Sequence, residues 1–283
     1  YHESALRAMT WAETDYAQRT QRPKSYRSRG VEIQRMDDHI DVRDKRNYAA
    51  AELYRLTGAD QWHQLLMQTT QLNQPNAQLY VWKSHEQREA AWTYLNTKHS
   101  QVDKALQLSC KRALLREAEE RLRTQTRSAF RWTKNDWAPP TATLSASDAV
   151  SLVRAHILTQ EEKYLRALVL ACQTGLGANP LNLCYTTGLG RRWPQHPLHL
   201  DSRLTGQQPP AGLTVFGPVD PTSENDLFLD TVIRPFCHPA PQHWPIMEAY
   251  WDVFWYPMMC EFTIHHPMAY NTYVWGYLAG VAR

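Results

Sequence analysis

Apolar positions recur near helical spacing along most of this chain, and no alternating strand pattern competes with the helical stretches between His85 and Thr174. Ala5, Met9, Trp11, Ala12 and Tyr16 form an apolar face opposite Glu3, Arg7, Glu13 and Arg19, which predicts an amphipathic first helix packed on others. From Arg22 to Arg46 the period is lost among Pro23, Gly30 and mixed charge, so a long surface loop is expected. Lys45 to Thr69 reads as two helices joined by a turn at Leu56 to Asp60, with Asp60 as N-cap of the second. Further helices are predicted at His85–Leu95, Val102–Thr124, Ala146–Thr159 (capped by Ser145 or Ser147) and Glu161–Thr174. A Gly- and Pro-rich loop then runs to about Pro245, and closing helices are expected at Trp244–Tyr256 and Met268–Ala282. Helix, short turn and helix, repeated without a heptad seam, define an all-α chain of helical hairpins arranged as a toroid.

Composition narrows the function classes. A chain of 283 residues, 43% hydrophobic with 11 Trp and 14 Tyr, can bury a large core. A net charge of +3, both signs interspersed, offers no basic stripe for nucleic acid. No apolar run has the length of a transmembrane helix, and the N-terminal segment lacks the basic start and apolar centre of a signal peptide. Five Cys without a C-x-x-C pair favour reduced, buried thiols and a cytoplasmic setting, with export to the periplasm or beyond as the alternative. Cys237-His238 with His243, and Cys260 with His265 and His266, lack zinc-knuckle spacing, and chance in a His-rich region is the better account.

Chemistry concentrates between Tyr250 and Asn271. Glu261 is the single Glu in this largely apolar and aromatic stretch, which also carries Asp252 near its start. A carboxyl in such a run either lines a cavity, where an apolar setting favours its protonated form, or bonds to an Arg or to main chain inside a helical core. Asp252 stands nine residues before Glu261 with Pro257 between, so the two need not share a face, and Asp252 reads as a structural or capping acid. Trp132, in the irregular Phe130–Pro140 segment, suits either the C–H face of a sugar or the pinning of its own loop. Gly175-Leu176-Gly177-Ala178-Asn179-Pro180 is a weak phosphate-loop pattern without a following Gly-Lys-Ser/Thr, and helix capping explains its glycines.

Tyr250-x-Asp252 ahead of Glu261-x-Thr263 resembles the C-terminal signature of family 9 glycoside hydrolases, in which the Glu is the proton donor. Pro257 stands in place of the family's aromatic residue, Pro267 in place of its Asn, and Asn271 lies four residues late. Gly177-x-Asn179-Pro180, Thr187-Gly188-Leu189-Gly190, Pro194 and His196-Pro197-Leu198-His199 follow the order of the family's substrate-loop signature, with Leu198 and Leu200 at its first His and its Arg positions. Arg46 to Tyr54 is also similar to one of its helices. The resemblance runs from about Arg46 to Arg283.

It implies an (α/α)6 toroid and hydrolysis, with inversion, of β-1,4-linked gluco-configured oligosaccharides. Glu261 would be the acid, and His199, Arg203, His196, Trp132 and Asp201 would contact substrate, with no metal or organic cofactor required. The Pro-Leu-His-x-Asp-Ser form of the loop looks like the branch that removes single glucose or glucosamine units from chain ends. An inverting glycosidase also needs a second carboxylate about 6.5 to 9.5 Å from the acid. The family's Asp-Ala-Gly-Asp motif, which carries it, does not occur in these residues. Residues 1–283 are therefore expected to be the C-terminal portion of one catalytic domain whose N-terminal half supplies the base. An endo-acting cellulase and a non-catalytic helical carbohydrate-binding fragment are the alternatives.

Overall fold

The computed structural model describes residues 1–19, 25–28, 30–34, 39–81, 85–131, 133, 149–219, 222, 229–254, 256–264 and 268–282. The chain divides into two units, Tyr1–Glu117 and Ala118–Arg283.

In the first unit, α1 (His2–Arg19) is followed by a hairpin of β1 (Ser25–Ser28) and β2 (Val31–Gln34), then α2 (His39–Thr57) and α3 (Asp60–Thr69). A second, shorter hairpin pairs β3 (Tyr80–Val81) with β4 (His85–Glu86) and leads into α4 (Arg88–Leu95) and the start of α5 (Lys104–Arg127). The α2–α3 pair is the predicted hairpin, with helix formation beginning at His39, six residues earlier than expected. Its core face is built from small residues: Ala50 and Ala51 of α2 are fully buried, as is Leu66 of α3, and Ala90 and Ala91 of α4 are almost so. Alanine there lets α3 and α4 both pack closely on α2 without a rotamer cost. Arg46 on α2 makes a two-pronged contact with Glu13 on α1, at 2.7 and 2.8 Å, the geometry that makes an Arg–carboxylate pair worth most.

Four expectations in this unit are corrected. Arg22–Arg46 holds the β1–β2 hairpin and the first turns of α2; Ser25 pairs with Gln34 and Ser28 with Val31, and Gly30 lies between the strands at φ +82°. The helix predicted from His85 starts at Arg88, because His85 and Glu86 pair with Val81 and Tyr80. Asp60 is the first residue of α3, and Ala59 occupies the N-cap position without a side-chain cap; Thr57 Oγ1 instead accepts the Ala59 N–H at 3.1 Å. On α1 only Met9 of the described apolar-face side chains is buried, while Trp11 is 63% exposed.

The second unit contains the rest of α5, α6 (Val150–Thr159), α7 (Glu162–Gly175), α8 (Leu200–Thr205), the single turn α9 (Pro257–Cys260) and α10 (Ala269–Val281). Helix α6 is buried from Val150 through His156, with α7 and α10 against it, and His156 Nδ1 meets the Tyr277 hydroxyl at 2.5 Å. The proposed caps Ser145 and Ser147 lie outside the described residues. Helix α7 ends as predicted: the Ala178 N–H reaches Gln173 O (2.9 Å) and the Gly177 N–H reaches Thr174 O (3.4 Å), with Gly177 at φ +114°. That is a Schellman cap, and it accounts for the glycine. Trp244–Tyr256 is not a helix. One 3-10 turn at Ile246–Glu248 gives way to irregular chain with tight turns at Tyr250 and Val253, because Ala249 O is taken by the Val219 N–H at 3.0 Å instead of by a helical neighbour. Among the described residues no helix is long and apolar enough to cross a membrane.

Candidate functional site

The long loop after α7 is held in shape by two local devices. Asn179, 3% exposed, uses its whole amide: Nδ2 donates to Thr174 O and Leu183 O (both 2.8 Å), and Oδ1 accepts from Leu181 N (3.1 Å) and Leu183 N (3.3 Å). Gly188 sits at φ +73°, and a Cβ there would fall 2.6 Å from the Ala211 Cβ, so the loop's two limbs touch through a position that only glycine fills. Thr187 closes the same contact, donating to Pro210 O (2.6 Å) and accepting from Leu213 N (2.9 Å).

Beyond this, Leu183, Tyr185, Val215, Val219, Leu229, Ile233, Tyr250, Tyr256, Met259 and Cys260 form one apolar core. Burial pushes the Cys260 thiol up to about 12, and raises the Tyr250 phenol well above its ordinary value, with the neighbouring Asp252 carboxylate adding to the effect. Both groups stay neutral near pH 7 and act as packing elements.

Glu261 follows directly on this core. Pro257 starts a helical turn instead of interrupting one, since a proline at the first position forfeits an N–H that has no helical acceptor anyway. The turn stops at Cys260, and Glu261 is extended (φ −67°, ψ 153°). Three successive carbonyls then bind the loop: Met259 O takes Gly217 N (3.1 Å), Cys260 O takes Leu198 N (2.8 Å) and Glu261 O takes Phe216 N (2.9 Å). Glu261 is half-buried, and no hydrogen bond or ion pair joins its carboxylate to another described residue. The reading as a core Glu satisfied by Arg is therefore not what these residues show.

His199 stands across the same seam. It is the N-cap of α8: its Nδ1 accepts the Ser202 N–H (3.2 Å) and lies 2.7 Å from the Ser202 hydroxyl. With Nδ1 held as an acceptor, the neutral ring carries its proton on Nε2, which is left as a donor. The ring is tilted 33° against Phe262, centroids 6.2 Å apart, so the residue after Glu261 is packed on the histidine. Arg203 places its guanidinium over the Phe254 ring, 3.3 Å from the centroid. Asp201 is exposed in the first turn of α8, and His196 is exposed with its main-chain N–H bound to Asp252. Trp132, His265 and His266 lie outside the described residues, and no cluster of three metal-binding side chains occurs among those described. Asn271, buried in the first turn of α10, donates to Thr214 Oγ1 (3.0 Å), which in turn meets Thr186 Oγ1 (2.9 Å). Its place in the site is thus to tie α10 to the loop, a role its position in the sequence did not disclose.

The fold and the signature residues define a glycoside hydrolase architecture, and the family profile of Glycosyl hydrolase family 9 matches residues 1–250: the chain belongs to this family. The match begins well before Arg46 and stops at Tyr250, ahead of Glu261. A xyloglucan-specific endo-β-1,4-glucanase, BoGH9A of Bacteroides ovatus, is 26% identical over 251 residues, 82% of this chain and 41% of that protein. Among solved structures, GH family 9 endoglucanase J30 superposes with a TM-score of 0.75 at 19% identity, covering 98% of this chain and 48% of that one. A Bacteroides ovatus GH9 structure gives 0.71 at 21% identity, with 97% and 47% covered. These likenesses show the shared fold, the helical hairpins of the (α/α)6 toroid. The chain spans about half the length of these relatives.

Proposed function

We propose that this chain carries the acid side of an inverting β-1,4-glycan hydrolase, with Glu261 protonating the leaving-group oxygen. The observation that carries this reading is the Glu261 carboxylate itself, unpaired among the described residues although its main chain is fixed, its N–H by Pro257 O and its carbonyl by the Phe216 N–H. A fixed backbone with a carboxyl that meets none of the other described residues is the arrangement expected of a preorganised general acid. His199, through Nε2–H, and the exposed Asp201 and Arg203 of α8 are the polar groups of the loop suited to sugar hydroxyls. The water-activating base would come from the remaining half of the same domain.

The Pro197-Leu198-His199-x-Asp201-Ser202 loop favours removal of single glucose or glucosamine units from chain ends. The similarity to the xyloglucan-specific endo-β-1,4-glucanase of Bacteroides ovatus favours a second reading, endo cleavage of a β-1,4-glucan. Product analysis by the full-length protein on β-1,4-linked glucose and glucosamine oligosaccharides separates them. Monosaccharide from the first minutes, released with inverted anomeric configuration, is the expected result; mid-chain products would establish endo action, and retained configuration would exclude the inverting mechanism.

A further inference from the structure

Asp252 holds the substrate loop in register with Glu261. Its Oδ2 accepts the Gln195 N–H at 2.6 Å, its Oδ1 accepts the next N–H, that of His196, at 3.0 Å, and the Tyr250 hydroxyl donates to Oδ1 at 3.4 Å. Two residues on, the Leu198 N–H goes to Cys260 O. Pro194 and Pro197 have no N–H, so Gln195, His196 and Leu198 supply every main-chain donor between 194 and 198. All three are spent on the 252–260 stretch that leads into Glu261, two of them on one carboxylate. This five-residue segment makes its main-chain donations nowhere else, and His199 follows it directly.

We propose that Asp252 is a positioning residue: by gripping Gln195 and His196 it sets where His199 stands relative to Glu261, and so how substrate is held for protonation. The proposal rests on the glycosidase reading given above. A carboxylate suits the task because it is acceptor-only and charged, and charge-assisted bonds to N–H are the stronger kind. Asparagine has the same shape but one acceptor oxygen, so its NH2 would be set against one of the two N–H groups.

The test uses the full-length protein with Asp252→Asn and Asp252→Glu, measuring amide hydrogen exchange of a peptide spanning 194–199 alongside steady-state kinetics on β-1,4 oligosaccharides. Expected is exchange at Gln195 and His196 faster by about tenfold or more in the Asn variant, the order for losing a charge-assisted bond. KM should rise about tenfold with kcat changed much less, because the acid itself is untouched. The Glu variant should fall between native and Asn in both measures, and it carries the same readouts where the Asn variant does not fold. Unchanged exchange at these amides overturns the clamp, and faster exchange with an unchanged KM overturns its bearing on substrate. Absence of hydrolysis by the native protein would instead count against the glycosidase reading, while the exchange arm still decides whether Asp252 grips the loop.

Discussion

Leu198 and Cys260 are joined main chain to main chain, the Leu198 N–H donating to the Cys260 carbonyl at 2.8 Å. The residue after each is a candidate for the chemistry, so this one bond registers His199 against Glu261. Because it uses no side-chain polar atom, either flanking side chain can be replaced without disturbing it, and substitutions at Glu261 can be read as chemistry.

Glu261→Gln in the full-length protein should therefore leave the thermal midpoint nearly unchanged and lower kcat on unactivated oligosaccharides by about 10² to 10⁴-fold, the usual worth of general acid catalysis. An aryl glycoside with a good leaving group needs less protonation and should lose much less. Equal losses on the two substrates would exclude the proton-donor role.

Asn179 is satisfied at all four of its side-chain hydrogen-bonding positions in a buried site. Asn179→Ala orphans the Leu183 carbonyl and the N–H groups of Leu181 and Leu183, while Thr174 O keeps the Gly177 N–H, and Asn179→Asp sets a carboxylate against two carbonyl oxygens. Each should destabilise the second unit by at least about 2 kcal/mol, since an unsatisfied buried group costs roughly 1 to 3 kcal/mol. Denaturant midpoints check this; a loss under about 0.5 kcal/mol, the usual surface value, would show that the loop reorganises freely.

Gly188→Ala combines a left-handed backbone (φ +73°) with a 2.6 Å approach to the Ala211 Cβ. The expected destabilisation exceeds the roughly 1 kcal/mol of left-handed strain alone. Gly206, also left-handed but with nothing near its Cβ position, is the control: Gly206→Ala should cost only the strain. Similar losses in the two variants would show that the contact at Ala211 relaxes.

Glu119 accepts from Lys163 Nζ (2.8 Å) and the Tyr164 hydroxyl (2.6 Å), and these bonds, Lys163 first, hold its carboxyl below the usual 4.5. A folded value below the unfolded one means the stabilisation is complete above pH 4.5 and is lost as pH falls through the folded value. Glu119→Gln should thus lower the melting temperature near pH 7, and the gap from the native protein should close on acidification below about pH 4. A gap that persists at low pH would mean that the contact acts through packing, not charge.

Helices were legible where a period of 3.6 ran uninterrupted over several turns, as in α2, α5, α7 and α10. The β1–β2 hairpin was hidden by its brevity, although Val31 and Ile33 do alternate with Glu32 and Gln34 beside Gly30. Trp244–Tyr256 carries helix-compatible residues, but Pro245 and the pull of Val219 on Ala249 O keep it from forming a helix, and that second, tertiary preference is invisible in local spacing. Glu261 stood out as a lone Glu in an apolar run. Asp252 was legible as a structural acid but not as to what it holds, because its main partners are N–H groups of residues whose own side chains play no part in the bonds. The pair of prolines around Gln195 and His196 was the available signal: it leaves so few donors that each must have a definite destination.

The seam that presents Glu261 is made of pairings between residues distant in sequence: Tyr185 with Val215, Leu198 with Cys260, Phe216 with Glu261, Val219 with Ala249. Contacts of that kind gain nothing until a long stretch of chain has already been closed, whereas the hairpins are repaid turn by turn. On warming, the seam should therefore part while the helices still stand, so that catalytic competence is lost some degrees below the loss of the far-ultraviolet helical signal, and refolding should restore the two in the reverse order.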